Sequence, residues 1–344
     1  MTINSVMGNL LQQHDADAIV NTVNCVGVMG KGIALQFKKK WPDNFKAYAR
    51  ACKDEQVHLG KMFVFDLGGL ATPRYIINFP TKGHWRSASQ LADIESGLAD
   101  LVEQIQKIGI RSIAIPPLGC GNGGLDWQVV KPLIIKYFSA IDAVEVRVFE
   151  PNDSIKASDM EVGSRKPKMT PGRAAILSLL EIYKSQNYGL SKIEVQKLAY
   201  FLQVSGQNLK LNFVKHQYGP YADALRHALE RMDGHYIQGV GDGVVAAEIT
   251  PTESALNDAK QFLKQADSAI TSHVQRVADL IEGYQSPYGV ELLATVHWVA
   301  AYEGATSPEQ AFALIQQWNA RKKQLMTCQH VESAWMQLKQ LNWI

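Results

Sequence analysis

Short apolar runs alternate with amphipathic stretches along the first half of the chain. Brief runs rich in Val, Ile and Phe are typical of buried strands, and they occur at residues 18–23, 61–67, 75–79, 112–116 and 145–149. Helical spacing of apolar positions predicts helices at residues 32–40, 89–108 and 127–141. Strands and helices that alternate in this order predict an α/β sandwich around a mostly parallel or mixed sheet.

Helical spacing dominates the second half. Helices are predicted at residues 173–185, 191–203, 221–231, 253–282, 291–302, 308–324 and 328–341, with short β segments at 213–217 and 244–249. Between the halves, residues 151–172 are polar, contain proline and glycine, and follow neither period, which is typical of a linker. We therefore predict an α/β domain at 1–153, a linker at 154–172 and a mainly α domain at 173–344.

Composition narrows the classes of function. A chain of 344 residues is long for one hydrophobic core, which agrees with two domains. A net charge of +2 argues against the broad basic face of a non-specific DNA binder. The four cysteines lack C-x-x-C spacing, so neither a metal site nor a disulfide framework is expected. No signal-peptide pattern and no membrane-length apolar run occurs, so we expect a cytoplasmic protein without membrane contact.

Two glycine-rich segments each follow a predicted strand and precede a predicted helix. One is the loop with Gly27, Gly30 and Gly32 within residues 17–40, and the other is PPLGCGNGGLDW at 116–127. Glycine lets the backbone approach a ligand closely, and the free N–H groups of the next helix face an anion. Either segment alone could be an ordinary tight turn. Two of them at the strand ends of one sheet predict a clamp for a diphosphate.

A third segment, NFPTKGHWRSAS at 78–89, crowds Lys82, His84, Trp85 and Arg86 into one loop. Loops held by a rigid scaffold often carry the chemistry of a protein. The alternative is a solvated basic turn with Trp85 packed into the core.

Three asparagines are further candidates. The amides of Asn9, Asn21 and Asn24 can donate and accept hydrogen bonds, which suits ribose hydroxyls and adenine edges. Turn or capping roles are the alternative for each.

The segments GNLLQQHDADAIVNTVN, GVMGKGIALQFKKKWP, NFPTKGHWR and PPLGCGNGGLDW together resemble the macrodomain of the DarG family, over residues 1–153. DarG proteins are the antitoxins of DarTG toxin–antitoxin pairs. The toxin DarT attaches ADP-ribose from NAD to a base in single-stranded DNA, typically thymine, and the DarG macrodomain removes it. The resemblance implies an α/β/α macrodomain sandwich with a mixed sheet that hydrolyses this linkage and releases ADP-ribose, without a cofactor.

The resemblance also assigns residues to the site. It implies that Lys82 is the catalytic lysine, that Asn24 lies near the distal ribose, and that Asn9 meets the adenine amino group, where many macrodomains have aspartate. The implied substrate-binding residues are Asn9, Asn21, Asn24, Gly30, Lys31, Gly32, Ile33, His84, Trp85, Gly119, Cys120, Gly121, Asn122 and Gly123.

The second glycine-rich segment departs from related macrodomain hydrolases that act on carboxylate esters. Those enzymes pair the lysine with an aspartate at the place of Gly123, so Lys82 is expected to act without that partner. Asp126 is instead expected to cap the next helix. Lys82 would act as a nucleophile or as a general acid, and nearby His84 and Arg86 would lower its pKa.

The second half has a separate resemblance. LSKIEVQKLAYFLQ and FVKHQYGPYADALRHAL are similar to the SocA-like antitoxin (Panacea) domain, over residues 173–300. This implies that the mainly α domain binds a DarT-type toxin, whereas an α-helical dimerisation domain is the alternative. Residues 218–221 would be a partner contact or the start of a helix.

Other functions remain open for the whole chain. A non-catalytic ADP-ribose reader would use the same loops without needing Lys82. A hydrolase acting on protein ADP-ribosylation is a second alternative, and Gly123 argues against it. A DNA-binding repressor is a third, which the near-neutral charge does not favour.

Overall fold

A computed structural model describes residues 2–69, 71–141, 144–152, 160–184, 190–240 and 248–344. The chain divides into two compact units, residues 1–165 and 166–344. This division falls inside the segment 151–172 whose composition is typical of a linker. The described residues of that segment on either side of the division contact the unit to which they belong. Glu161 pairs with Lys40 of the first unit at 2.8 Å, and the hydroxyl of Tyr236 in the second unit donates to the Pro167 carbonyl at 2.6 Å.

The first unit is built on a mixed sheet. Its described strands are β1 (Thr2–Val6), β2 (Ala18–Asn24), β3 (Phe63–Asp66), β4 (Tyr75–Lys82), β5 (Ser112–Ile115) and β6 (Glu145–Phe149). Their order across the sheet is β1-β6-β5-β2-β4-β3, and only β3 runs antiparallel to its neighbour. Because the other strands share one direction, their carboxyl ends meet at the same edge of the sheet.

Helices cover both faces of this sheet. They are α1 (Gly32–Lys40), α2 (Pro42–Lys53), α3 (Leu91–Ile108) and α4 (Trp127–Phe138), with a 3-10 turn at Leu10–Gln12. Successive strand residues point to opposite faces, so Ile19 packs in the cluster that contains Phe37 of α1, and Val20 in the cluster of α3 and α4. The predicted α/β/α sandwich with a mixed sheet is therefore confirmed.

Two elements of the first unit were not predicted from the pattern. Strand β1 is a short edge strand whose Asn4 and Ser5 are both exposed, so it shows no apolar alternation. Helix α2 buries only Asn44, Tyr48 and Ala51, and its other residues are polar or half-buried. The predicted strand 75–79 continues to Lys82, and this extension brings that lysine to the edge of the sheet.

The second unit is mainly α, as predicted. Its helices in the described ranges are α5 (Pro171–Lys184), α6 (Lys192–Val204), α7 (Asp223–Met232), α8 (Glu253–Gln265), α9 (Ser268–Ile281), α10 (Pro287–Glu303), α11 (Pro308–Gln316), α12 (Ala320–Leu325) and α13 (Cys328–Gln340). Two antiparallel pairs accompany them: β7 (Val214–His216) with β8 (Gly219–Tyr221), and β9 (Ile237–Gln238) with β10 (Thr250–Pro251). No helix in the described ranges is long and apolar enough to cross a membrane.

Three predicted elements of this unit differ in the structure. The helix predicted at 253–282 is divided at Asp267, and the one predicted at 308–324 at Asn319, because each side chain caps the N-terminus of a new helix. The helix start predicted as one reading of residues 218–221 is wrong, since 219–221 form β8 and α7 begins at Asp223. The β segment predicted at 244–249 lies largely outside the described residues.

Candidate active site

The carboxyl ends of β2 and β4 are adjacent. The first glycine-rich loop follows β2, and the loop with His84 and Trp85 follows β4. Asn24 at the end of β2 pairs with Lys82 at the end of β4, next to an irregularity in the register. The Cys25 N–H donates to the Gly83 carbonyl at 3.0 Å, so the chains leave the sheet side by side. Strand β5 lies on the other side of β2, and the second glycine-rich loop follows it. Three loops thus converge at one edge of the sheet.

The amine of Lys82 is at the centre of this convergence. Its Nζ donates to the backbone carbonyl of Asn122 in the second glycine-rich loop, at 2.7 Å. Partial burial of the side chain lowers the pKa of Lys82 below its ordinary value. The cause of this lowered pKa is burial rather than the charges of His84 and Arg86. A lowered pKa raises the fraction of neutral, nucleophilic amine at a given pH.

The second glycine-rich loop is too tight for side chains at two of its positions. A Cβ on Gly123 would lie 2.3 Å from the Gly119 carbonyl oxygen and 2.3 Å from the Ser89 hydroxyl. Gly119 has φ +72°, in the left-handed region that favours glycine. An aspartate at residue 123 would therefore not fit this loop. Asp126 accepts a hydrogen bond from the Gln128 N–H at 2.9 Å, which confirms its predicted capping of α4.

The first glycine-rich loop is shaped by Asn24. Its amide oxygen accepts from the N–H groups of Val26 at 3.0 Å and Val28 at 3.3 Å, and its amide nitrogen donates to the Val28 carbonyl at 2.6 Å. Tyr48 of α2 donates its hydroxyl to the Asn24 carbonyl at 2.6 Å. Asn24 is only 6% exposed, so the observed role of its side chain is to hold the loop. Its contact with a ribose stays a prediction.

The two glycine-rich loops meet at the start of α1. A Cβ built on Gly32 would lie 3.2 Å from the amide nitrogen of Asn122. Lys31 is exposed at the N-cap of α1, Gly30 is half-buried, and Ile33 packs partly against the cluster that contains Leu10. Gly121 is exposed, and a Cβ built there would have no neighbour within 4 Å.

Asn21 is not a surface residue, contrary to its prediction as a ligand contact. It is fully buried, and its amide nitrogen donates to the side chain of Asn78 at 2.9 Å. Asn78 in turn donates to Asn44 of α2 at 2.8 Å. This chain of buried amides joins β2, β4 and α2 beneath the site, so Asn21 supports the site from within the core.

Asn9 lies at the same edge of the sheet, after β1. Its side-chain oxygen accepts from the Leu11 N–H at 2.9 Å and caps the 3-10 turn. The capping alternative for this residue is therefore observed. Its contact with an adenine stays a prediction.

The cysteines near the site are thiols at neutral pH. Burial raises the pKa of Cys120 to about 11, and the negative charge of Asp126 adds to the effect. Burial likewise raises the pKa of Cys25 to about 11. Because the thiolate is the reactive form of cysteine, neither residue is poised as a nucleophile, and Lys82 is the better candidate.

The loop after Lys82 is exposed. Trp85 is 46% exposed, and His84 and Arg86 are exposed beside it. The alternative in which Trp85 packs into the core is therefore wrong.

Sequence reasoning missed several residues that build the site. Tyr48 and Asn44 hold Asn24 and Asn78 from α2, and Ser89 donates its N–H to the Gly123 carbonyl at 2.9 Å. The i, i+3, i+7 spacing of Phe45, Tyr48 and Cys52 was the signal that could have revealed α2.

Comparison with known proteins identifies the family. The family profile described as Macro domain matches residues 20–134. A DNA ADP-ribosyl glycohydrolase of Thermus aquaticus is 50% identical over 320 residues, which cover 92% of this chain and 88% of that protein. A DNA ADP-ribosyl transferase-DNA ADP-ribosyl glycohydrolase fusion protein of Thermosipho africanus is 37% identical over 145 residues, 38% of this chain and 37% of that protein.

Among solved structures, the macrodomain of Thermus aquaticus DarG is 56% identical, covers 44% of this chain and 99% of that chain, and superposes with a TM-score of 0.42. The assignment rests on the full-length relative, because half of its aligned residues are identical and the alignment spans nearly all of both proteins. The chain therefore belongs to the DarG family of DNA ADP-ribosyl glycohydrolases.

Proposed function

We propose that the first unit removes ADP-ribose from thymine in single-stranded DNA, with Lys82 as the catalytic residue. The observation that carries the proposal is the position of the Lys82 amine. Its Nζ donates a hydrogen bond to the Asn122 carbonyl, where the two glycine-rich loops meet. Family membership supplies the reaction class, and the partly buried amine supplies a reactive group. A non-catalytic reader would not need Lys82. A hydrolase for protein ADP-ribosylation would pair this lysine with an aspartate, and Gly123 stands at that place here.

The bond to be broken joins the anomeric carbon of the distal ribose to a ring nitrogen of the base. The neutral amine of Lys82 would add to this carbon as its bond to the ring oxygen breaks. The base would then leave, with one amine proton passing to the ring oxygen and the other to the departing base nitrogen. Water would then hydrolyse the resulting imine, which frees ADP-ribose and restores the lysine. Protonated Lys82 would instead donate its proton to the leaving base. The lowered pKa of Lys82 serves either route, because it increases the fraction of neutral amine and also makes the protonated form a stronger acid.

The direct test incubates the full chain with a single-stranded oligonucleotide that carries ADP-ribosylated thymine. Release of free ADP-ribose, followed by chromatography, is the expected result. A peptide ADP-ribosylated on glutamate serves as the comparison substrate. Binding of ADP-ribose without release from either substrate would support the reader, and release from the peptide alone would support the hydrolase of protein esters.

We also propose that the two glycine-rich loops bind the diphosphate of ADP-ribose, and two glycine variants test this. Gly123→Ala should weaken ADP-ribose binding by about tenfold or more, because the new Cβ would collide with Gly119 and Ser89 and displace the loop. A bulky substitution at Gly121, which is exposed in the same loop, should abolish binding because its side chain would occupy the space proposed for the ligand. Calorimetry on both variants measures the change. Unchanged binding in the Gly121 variant would place the ligand elsewhere.

We further propose that residues 1–153 and 173–344 act as separate domains, joined by 154–172, and that the second binds a DarT-type toxin. The Panacea-like segments support this, and so does the Thermosipho africanus relative, whose name combines an ADP-ribosyl transferase with a glycohydrolase. A name that combines both activities in one chain is consistent with a glycohydrolase that works together with an ADP-ribosyl transferase.

A fragment of residues 166–344 should retain the cognate toxin in a pull-down as well as the full chain does. The reason is that this fragment is a compact unit with its own hydrophobic core. The fragment 1–165 is the control, and the full-length Lys82→Ala variant should bind the toxin normally. Capture of the toxin by residues 1–165 alone would reverse the assignment.

A further inference from the structure

The loop that follows Lys82 presents an indole to solvent. Trp85 lies three residues after Lys82 and is 46% exposed. A short turn holds the loop, because the Ser87 N–H donates to the His84 carbonyl at 3.0 Å and the Arg86 N–H donates to the His84 Nδ1 at 3.2 Å. The indole is therefore displayed on an ordered turn next to the proposed catalytic amine.

Cationic and aromatic groups accompany this indole. The guanidinium carbon of Arg86 lies 4.5 Å from the ring centroid of Trp85, and the imidazole of His84 lies 5.4 Å from it, tilted by 31°. Residues 82–90 read KGHWRSASQ, so this stretch contains no acidic residue. An exposed aromatic ring combined with basic side chains is the usual surface on which single-stranded nucleic acids stack their bases.

We infer that Trp85 stacks on a nucleobase next to the ADP-ribosylated thymine and that Arg86 binds the phosphate between the two nucleotides. This inference rests on the proposed function, because it takes the modified base to lie at Lys82. Three residues of chain span at most about 10 Å, and neighbouring bases of one strand are about 3.4 Å apart when stacked. Trp85 is thus within reach of an adjoining nucleotide.

Contacts of this kind would let a nearly neutral protein hold a polyanion. The net charge of +2 provides no general attraction for DNA, so the contacts must be local. A stacking residue and one phosphate contact would favour single-stranded DNA over a duplex, since paired bases do not offer a free face. They would also favour a longer strand over a lone modified nucleotide.

The test compares two substrates with the full chain: an ADP-ribosylated oligonucleotide of several bases and the ADP-ribosylated thymidine mononucleotide. Trp85→Ala should raise the KM for the oligonucleotide about tenfold more than the KM for the mononucleotide. Trp85→Phe should restore most of this difference, because phenylalanine still stacks. The matched control is Arg74→Ala, since Arg74 is also an exposed arginine over an aromatic ring, 4.9 Å from Tyr75 at the opposite end of β4.

Binding of unmodified single-stranded oligothymidine, measured by fluorescence anisotropy, is independent of catalysis. Trp85→Ala and Arg86→Ala should each weaken it, whereas Arg74→Ala should not. An equal rise in KM for both substrates with unchanged oligothymidine binding would overturn the inference, and so would a loss of toxin binding alone. A wild-type chain that binds oligothymidine through Trp85 but releases no ADP-ribose would instead refute the proposed function.

Discussion

Lys82→Ala is expected to reduce the release of ADP-ribose from DNA by about 10³-fold or more, because it removes the amine proposed to act on the scissile bond. The affinity for ADP-ribose should change little, since the proposed diphosphate contacts come from the glycine-rich loops rather than from this side chain. Single-turnover kinetics and calorimetry measure the two effects separately. Lys46→Ala is the matched control, because Lys46 is an exposed lysine of α2 that lies outside the loops of the candidate site.

Two further measurements distinguish the roles open to Lys82. Borohydride added during turnover should trap a covalent adduct on Lys82 if the neutral amine attacks the sugar, and Lys82→Arg, which cannot form that imine, should be inactive. Because burial lowers the pKa of Lys82, a nucleophilic role predicts a rate that rises with pH through this lowered pKa. A general-acid role predicts the opposite trend. Full activity of Lys82→Ala would disprove both roles.

Glu291→Ala is expected to destabilise the second unit by about 3–5 kcal/mol, because it leaves a buried ammonium without its counter-ion. The side chain of Lys322 is fully buried, and its Nζ lies 2.6 Å from the Glu291 carboxylate and 2.9 Å from the Thr295 hydroxyl. Urea denaturation of the full chain, followed by a signal from the second unit, measures the change.

An exposed ion pair of the same length provides the control for Glu291. Lys260 and Glu181 are 2.7 Å apart, but their side chains are 56% and 38% exposed. Glu181→Ala should therefore have little effect on stability. Similar losses for Glu181→Ala and Glu291→Ala would show that burial of the Lys322 pair is not what determines its contribution.

Lys197, which the charge of Lys322 affects, should make the stability of the second unit depend on pH. Burial, and secondarily the charge of Lys322, lower the pKa of Lys197 from 10.5 to about 7. Between these two values the unfolded chain holds a proton on Lys197 that the folded unit has released. The contribution of Lys197 to the free energy of unfolding should thus rise with pH across this window.

Helices and strands with a strong period were the parts of the fold that could be predicted. Helix α1 has the predicted bounds, and strand β6 does too, because the apolar pattern reports directly which face is buried. The pattern missed α2, and it joined α8 with α9 and α11 with α12 as single helices. Single capping side chains, such as Asp267 and Asn319, end and restart helices without changing the apolar spacing.

The residue types of the candidate site could also be read from the chain. Glycine at 119 and 123 and lysine at 82 stood out because such residues in loops between strands and helices suit anion binding and catalysis. The sequence by itself therefore determined the two-domain plan, the class of each half, the glycine-rich loops and the candidate lysine.

Only the tertiary structure decided which of these residues meet and which are buried. It buries Asn21 in the core and leaves Trp85 exposed to solvent. It also brings the Lys82 amine to the Asn122 carbonyl, forty positions away in the chain. The physical reason is that parallel strands gather distant loops at one edge of the sheet, while the burial of a particular amide or amine depends on helices, such as α2, that pack on it from elsewhere. Periodicity describes one element at a time, so the burial that lowers the pKa of Lys82 is a property of the assembled sheet and loops.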